Sequence, residues 1–192
     1  MKADRCLSPK CAMVKRDYPP GLKSKKKRKY LSEYAKELKE KQKLKKWYNL
    51  RERQFANYVE AVLEKRGKVE DAGALLIRKL EKRLDNVVFR MGFASSRSQA
   101  RQIVTHGHFL VNGKRIDVPS CSVKKDDTIT LRPQSAKKTI FKNLSAILKK
   151  QTPPVWIKVD IEKLEAKIVG EPSLEEAAPP VEISSIFEYY SR

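Results

Sequence analysis

Apolar positions change period partway along this chain. Up to Met91 they recur at spacings of three and four, as amphipathic helices require, whereas from His108 to Leu131 they alternate, as half-buried strands require. In the first part Ser32 caps a helix whose Leu31, Tyr34, Ala35 and Leu38 begin an apolar stripe. A second helix follows Asn49, where Phe55, Tyr58, Val59, Val62 and Leu63 fill the helical template, and Gly67 ends it. A third starts near Asp71 with Leu76 and Leu80, and a short fourth sets Leu84, Val87, Val88 and Met91 on one face before Gly92. Three to four such helices predict a small helical lobe.

The switch of period is itself well marked. Ser96 caps a helix starting at Arg97, and Gln99 is placed to reach back to the Ser96 amide in a capping box. Ala100, Ile103 and Val104 form its apolar side, while Arg97 and Arg101 stack one turn apart on a cationic side. His106-Gly107 stops it, because glycine takes the left-handed backbone without steric cost. The run His108 to Val111, then Asn112-Gly113, then Lys114-Arg115-Ile116 predicts a β-hairpin. A further strand, Thr128 to Leu131, follows a turn over Lys124 to Asp127.

Beyond it, Ile140, Leu144, Ile147 and Leu148 predict one helix over 136–148, broken by Pro153-Pro154. Two more strands are expected at Val155 to Val159 and Ala166 to Val169, then a terminal helix over 183–190. At the other end, residues 1–29 have no period and are broken by Pro9, Pro19, Pro20 and Gly21, so they are expected to form an extended arm.

Charge narrows the function. The 43 Lys+Arg against 23 Asp+Glu leave +20 on 192 residues, a self-repelling excess suited to a polyanionic partner. Residues 1–53 hold 19 basic and 6 acidic side chains, whereas 160–192 hold 3 and 8, so the N-terminal third carries most of that footprint. No apolar run approaches the roughly 20 residues that span a bilayer, and no signal-peptide core follows Met1. A cytoplasmic nucleic-acid binder is expected, with no membrane and no small-molecule substrate.

The order Arg83-Leu84-Asp85, Arg90, Gly92, Ser95 to Arg101, Gly107, Val111-Asn112-Gly113, Pro119-Ser120 and Asp126 resembles the S-four RNA-binding domain. That domain also occurs in pseudouridine synthases, some aminoacyl-tRNA synthetases and a small heat-shock RNA-binding protein. The flanks are more specific: Cys6 to Met13, Tyr18 to Gly21, Glu40 to Leu44, Arg53-Gln54-Phe55 and the ending Phe187 to Arg192 resemble the small-subunit ribosomal protein S-four family, bacterial or plastid type. The resemblance implies an α+β fold: a basic arm (1–29), a helical lobe (30–80, completed by about 172–192), an inserted S-four domain (81–145) with helices and a small antiparallel sheet, and strands extending that lobe (146–171).

It further implies a non-enzymatic constituent of the small ribosomal subunit. Such a protein is a primary binder of 16S-type rRNA in its 5′ domain, nucleates assembly of the subunit body and contributes to translational accuracy. Its other partners would be neighbouring small-subunit proteins and messenger RNA where it enters, in the cytoplasm or a plastid stroma. The alternative is a nonribosomal S-four-domain RNA-binding or chaperone-like protein. An RNA-modifying enzyme would need a catalytic domain this length does not leave, and a sequence-blind DNA compactor would bind duplex DNA equally.

Candidate RNA-binding residues fall into three groups. The arm offers Lys10, Tyr18, Lys23, Lys25, Lys26, Lys27 and Arg28. The start of the S-four domain offers Arg83, Arg90, Ser96, Arg97, Gln99, Arg101 and Gln102. The helix stop and hairpin offer His106, Gly107, His108, Asn112, Lys114 and Arg115. His106 and His108 lack a paired nucleophile and read as neutral turn histidines, and Asp126-Asp127 is a turn rather than a metal or acid pair. Trp47, Tyr18, Tyr30 and Tyr48 could stack on bases, although Trp47 at helical spacing suits a core. Cys6 and Cys11 are half of a possible four-cysteine zinc site. Many family members place a Cys-x2-Cys pair upstream, and only five residues precede Cys6 here, so no metal or other cofactor is expected.

Overall fold

The computed structural model describes residues 9–16, 18, 21, 31–65, 71–142, 144–148 and 152–191. In chain order these hold α1 (Ala12–Lys15), α2 (Glu33–Trp47), α3 (Glu52–Leu63), α4 (Ala72–Glu81), α5 (Leu84–Arg90) and α6 (Arg97–Thr105). Then follow β1 (Phe109–Val111), β2 (Lys114–Ile116), β3 (Thr128–Leu131), α7 (Pro133–Ala136), a 3-10 turn (Thr139–Phe141) and α8 (Leu144–Leu148). The chain ends with β4 (Ile157–Asp160), β5 (Glu165–Ile168), α9 (Leu174–Ala177) and α10 (Ile183–Tyr190). The arm is therefore not wholly extended, since α1 gives it a helical turn directly after the buried Cys11. Gly67 lies outside the described residues.

The helix starts obey local chemistry. Ser32, Asp71 and Ser96 accept the amides of Ala35, Ala74 and Gln99 at 3.3, 3.0 and 3.2 Å. Gln99, however, does not reach the Ser96 amide; its Oε1 accepts from the amide and hydroxyl of Ser95 at 2.8 and 2.6 Å. The α2 stripe also differs from expectation. Leu31 and Tyr34 are exposed, and the buried face is Glu37, Lys41 and Leu44, because that face meets the tyrosines of α10. Lys41 is tolerated there with its ammonium 4.1 Å from the Tyr189 ring centre and 2.7 Å from Glu52 Oε1.

Two cores divide the molecule. In the helical lobe Leu44, Phe55, Val59, Val62, Leu76, Ile77 and Leu80 are fully buried together with Ile186 of α10, so the C-terminal segment returns to the lobe that the chain began. The second core joins α5 and α6 to one sheet through Val87, Ile103, Phe109, Ile129, Ala166 and Ile168. The sheet is antiparallel in the order β2-β1-β3-β5-β4. Segment 119–123 ties the sheet back to the seam between lobes, with Leu84 N donating to Cys121 O at 2.8 Å and Val123 N to Lys82 O at 2.8 Å.

The single helix expected over 136–148 is instead three short pieces. Ser135 is buried with its hydroxyl 2.9 Å from His108 Nδ1, and Phe141 turns edge-on to His108 at 5.6 Å and to Phe109 at 6.5 Å. Lys138 takes an extended conformation between them, which a continuous helix forbids.

Candidate nucleic-acid interface

The hairpin end of the second lobe carries a framed cationic surface. Helix α6 closes at His106, and Gly107 turns left-handed at φ +67°, then β1 begins almost at once. A side chain at Gly107 is disfavoured by the left-handed backbone, and its Cβ would lie 2.6 Å from Arg115 Nη2 and 2.8 Å from its Cζ, so the guanidinium would have to move aside. The guanidinium of Arg115, on β2, thus rests on the bare Cα of Gly107. Asn112 and Gly113 form the hairpin turn with φ of 50° and 78°. The Asn112 amide is occupied holding that turn, donating to Asp127 Oδ1 at 2.7 Å and accepting from Thr128 N at 2.9 Å.

His106, Lys114 and Arg115 are exposed here, with Gln102 exposed on α6. His108 is buried, with its ring edge-on to His106 at 5.9 Å. Burial lowers its pKa, and the charges of Lys138, His106, Arg132 and Arg115 lower it further, so it is the neutral spacer of a cationic cluster. Arg132 and Lys138 escaped the sequence reading. Lys138 owes its place to the break in the predicted helix, and Arg132 to the Pro133 that starts α7 directly after β3.

The arginines nearer the seam are placed differently. Arg83 is 1% exposed; its Nε and Nη2 donate to Asp85 at 3.1 and 2.6 Å and its Nη1 donates to Tyr58 Oη of the helical lobe at 2.8 Å. Glu81, equally buried, accepts from Arg90 Nε and Nη2 at 3.0 and 2.8 Å, from Asn86 Nδ2 at 2.6 Å and from Tyr48 Oη at 2.7 Å. Arg90 also reaches Ala177 O at 3.2 Å, which fastens the C-terminal segment.

Arg97 turns inward as well. It donates from Nε to Asn86 Oδ1 at 2.8 Å, and its guanidinium lies 4.6, 5.0 and 5.1 Å from the rings of Phe89, Tyr48 and Trp47. Burial lowers its pKa. Arg101 is 34% exposed and 3.7 Å from Asp85 Oδ2. The common open cationic side expected of Arg97 and Arg101 is therefore absent, because aromatic side chains of both lobes draw Arg97 into the seam. Trp47 packs there rather than presenting an open face.

Ser96 and Gln99 serve as the α6 cap and are half-exposed. In the arm Lys10 and Tyr18 are exposed. Lys23, Lys25, Lys26, Lys27 and Arg28 lie outside the described residues, as do Tyr30 and Cys6. Among the described residues no three His, Cys, Asp or Glu side chains gather to hold a metal ion, and no helix is long and apolar enough to cross a membrane.

Residues 82–129 match the S4 domain and residues 1–81 match the Ribosomal protein S4/S9 N-terminal domain. All of the chain aligns with 90% of the small ribosomal subunit protein uS4 of Thermus thermophilus at 44% identity. The same coverage holds for the uS4 of Kosmotoga olearia at 43% and for the uS4A of Alkaliphilus oremlandii at 46%. With both halves matched and the alignment running the full length, this chain belongs to the uS4 family of small-subunit ribosomal proteins.

Proposed function

We propose that this protein is a structural, non-enzymatic constituent of the small ribosomal subunit, where it binds the subunit rRNA and neighbouring ribosomal proteins. The observation that carries the reading is the full-length likeness to proteins named for that subunit, both the N-terminal half and the RNA-binding domain included. A nonribosomal module is not favoured, because it has no need of the ribosomal N-terminal domain.

The finer part of the proposal is the target. We infer that it is a helix junction of the rRNA 5′ domain, bound early in assembly of the subunit body, near where messenger RNA enters and with an influence on accuracy. A-form RNA hides its base edges in a deep, narrow groove, so recognition rests on phosphates, 2′-hydroxyls and junction shape. Cations fixed on short, well-capped elements, as around Gly107, suit that task. The +20 charge supplies counterion release.

The test is binding to a transcript of the 5′ domain against duplex DNA of equal length across a salt series. An RNA preference of about a hundredfold or more, within the range by which specific sites exceed non-specific ones, is the expected result. Equal binding at every salt would leave only a general polyanion binder.

A further inference from the structure

The two ends of the helical lobe meet through a pair of tyrosines. Tyr34, in the first turn of α2, and Tyr189, in the last turn of α10, are 155 positions apart in the chain, yet their hydroxyl oxygens lie 3.3 Å from each other. The ring centres are 5.5 Å apart and the planes are tilted by 32°. Since the oxygens are nearer than the centres, the rings converge at their phenol ends, where the ortho carbons lie.

The pair is open to solvent on a fixed frame. Tyr34 is 49% exposed, and Tyr189 is partly exposed with the Lys41 ammonium 4.1 Å from its ring centre. The hydrogen bond to Tyr34, and then that to Lys41, hold the Tyr189 phenol below its usual pKa. A phenol that ionises more readily also gives up an electron more readily. Tyr190 is placed differently: its ring meets that of Tyr189 edge-on at 78°, and its phenol end is taken up by Glu52 Oε1 at 3.2 Å.

We infer that Tyr34 and Tyr189 form an oxidative cross-linking site, at which a one-electron oxidant joins the two rings and staples α10 to α2. The oxidant is hydrogen peroxide activated at a haem peroxidase. Each phenol gives one electron to the oxidant and its hydroxyl proton to solvent, and the two radicals, whose unpaired electrons extend to the ortho carbons, couple through a Cε–Cε bond. The hydrogen on each joined carbon then leaves as a proton while each oxygen regains one, so both rings are aromatic again. The pair loses two electrons and two protons in all, and the peroxide takes them up in becoming two molecules of water. Rings already in contact within one chain couple ahead of rings on separate chains. Oxidation of the free protein is thereby led into an internal bond rather than into covalent dimers.

The experiment treats the full chain, in dilute solution, with hydrogen peroxide and a haem peroxidase, and reads dityrosine fluorescence, intact mass and the joined peptides. The expected product is a monomer lighter by two hydrogens, with the peptides of Tyr34 and Tyr189 joined. Its thermal midpoint is expected to rise by about 10 °C, because the bond closes a loop of 155 positions in the unfolded chain. Tyr34→Phe and Tyr189→Phe are each expected to abolish the internal cross-link, whereas Tyr18→Phe, which removes a phenol that is also 49% exposed, should leave it unchanged. A wild type without any cross-link, coupling only between chains, or a bond confined to Tyr189 and Tyr190 overturns the site. Internal dityrosine that persists in Tyr34→Phe overturns it as well, and a joined product that melts as the untreated chain does overturns the staple.

Discussion

At the seam Arg83 commits its Nε, Nη1 and Nη2 to Asp85 and Tyr58, whereas on the hairpin face Arg115 rests on Gly107, exposed and without a carboxylate at ion-pair distance among the described residues. Burying a guanidinium is costly unless fixed partners offset the desolvation, so the first arrangement is possible only as architecture. An exposed cation keeps its counterions until a phosphate displaces them, so the second is available for binding. Basic residues therefore do not mark an RNA face by their number. Burial and partner decide which of them can exchange water for phosphate.

The sharpest way to break this contrast is Arg83→Ala. It leaves the Asp85 carboxylate buried without its main partner and frees Tyr58 from the seam, so we expect a loss of about 3–5 kcal/mol, measured by chemical denaturation. The remaining folded protein should keep the wild-type salt dependence of RNA binding. Normal stability with a flattened salt dependence would move Arg83 to the binding face.

Arg97→Ala follows in size. Three ring contacts and the bond to Asn86 are lost together, a cost of about 1–3 kcal/mol. Arg97→Lys should recover little of it, because an ammonium cannot stack its plane between rings. Recovery of full stability by lysine would show that charge alone holds the site.

On the hairpin face the order of effects reverses. Arg115→Ala should change stability by less than about 0.5 kcal/mol, as exposed substitutions usually do, yet flatten the salt dependence of RNA binding by about one unit. Gly107→Ala should cost about 1–2 kcal/mol through its left-handed backbone and should also reproduce the RNA defect of Arg115→Ala, since a methyl group would evict the guanidinium. If Gly107→Ala binds RNA as wild type does, the glycine shapes only the turn and does not position Arg115.

What could be read from the sequence was what neighbouring residues determine. Ser32, Asp71 and Ser96 cap their helices through bonds three residues long, Gly107 and Asn112-Gly113 take the backbone that only such residues favour, and α10 spans the expected 183–190. What escaped depends on residues distant in sequence. Nothing near Arg83 announces Tyr58, nothing near Arg97 announces Trp47 and Tyr48, and nothing near Lys41 announces Tyr189 and Glu52. The helix expected over 136–148 failed for the same reason, since Phe141 is pulled to His108 and Phe109. In the candidate site, the hairpin cations were legible because a local motif frames them, whereas Lys138 entered through that non-local break.

Glu52 tests the middle of the range between the two arginines. Its side chain is 49% exposed, yet it bridges Lys41 and Lys45 and accepts from Tyr190 Oη at 3.2 Å. Burial alone would raise its pKa; the bonds and charges of Lys41 and Lys45 overcome that and bring it from 4.5 down to about 2. Because the folded value is the lower one, the unfolded chain takes up the proton first as pH falls. The stabilisation is thus fully present above the unfolded value and is lost between there and about pH 2. Solvent screening at so exposed a group limits it to about 1 kcal/mol. Glu52→Gln should therefore melt below wild type at pH 7, converge with it as the pH approaches 2, and show a narrower gap at high salt. A gap that stays constant over that range would show that the carboxylate charge is not its cause, and half-exposed ion pairs in this fold would then belong with the exposed cations rather than with the seam.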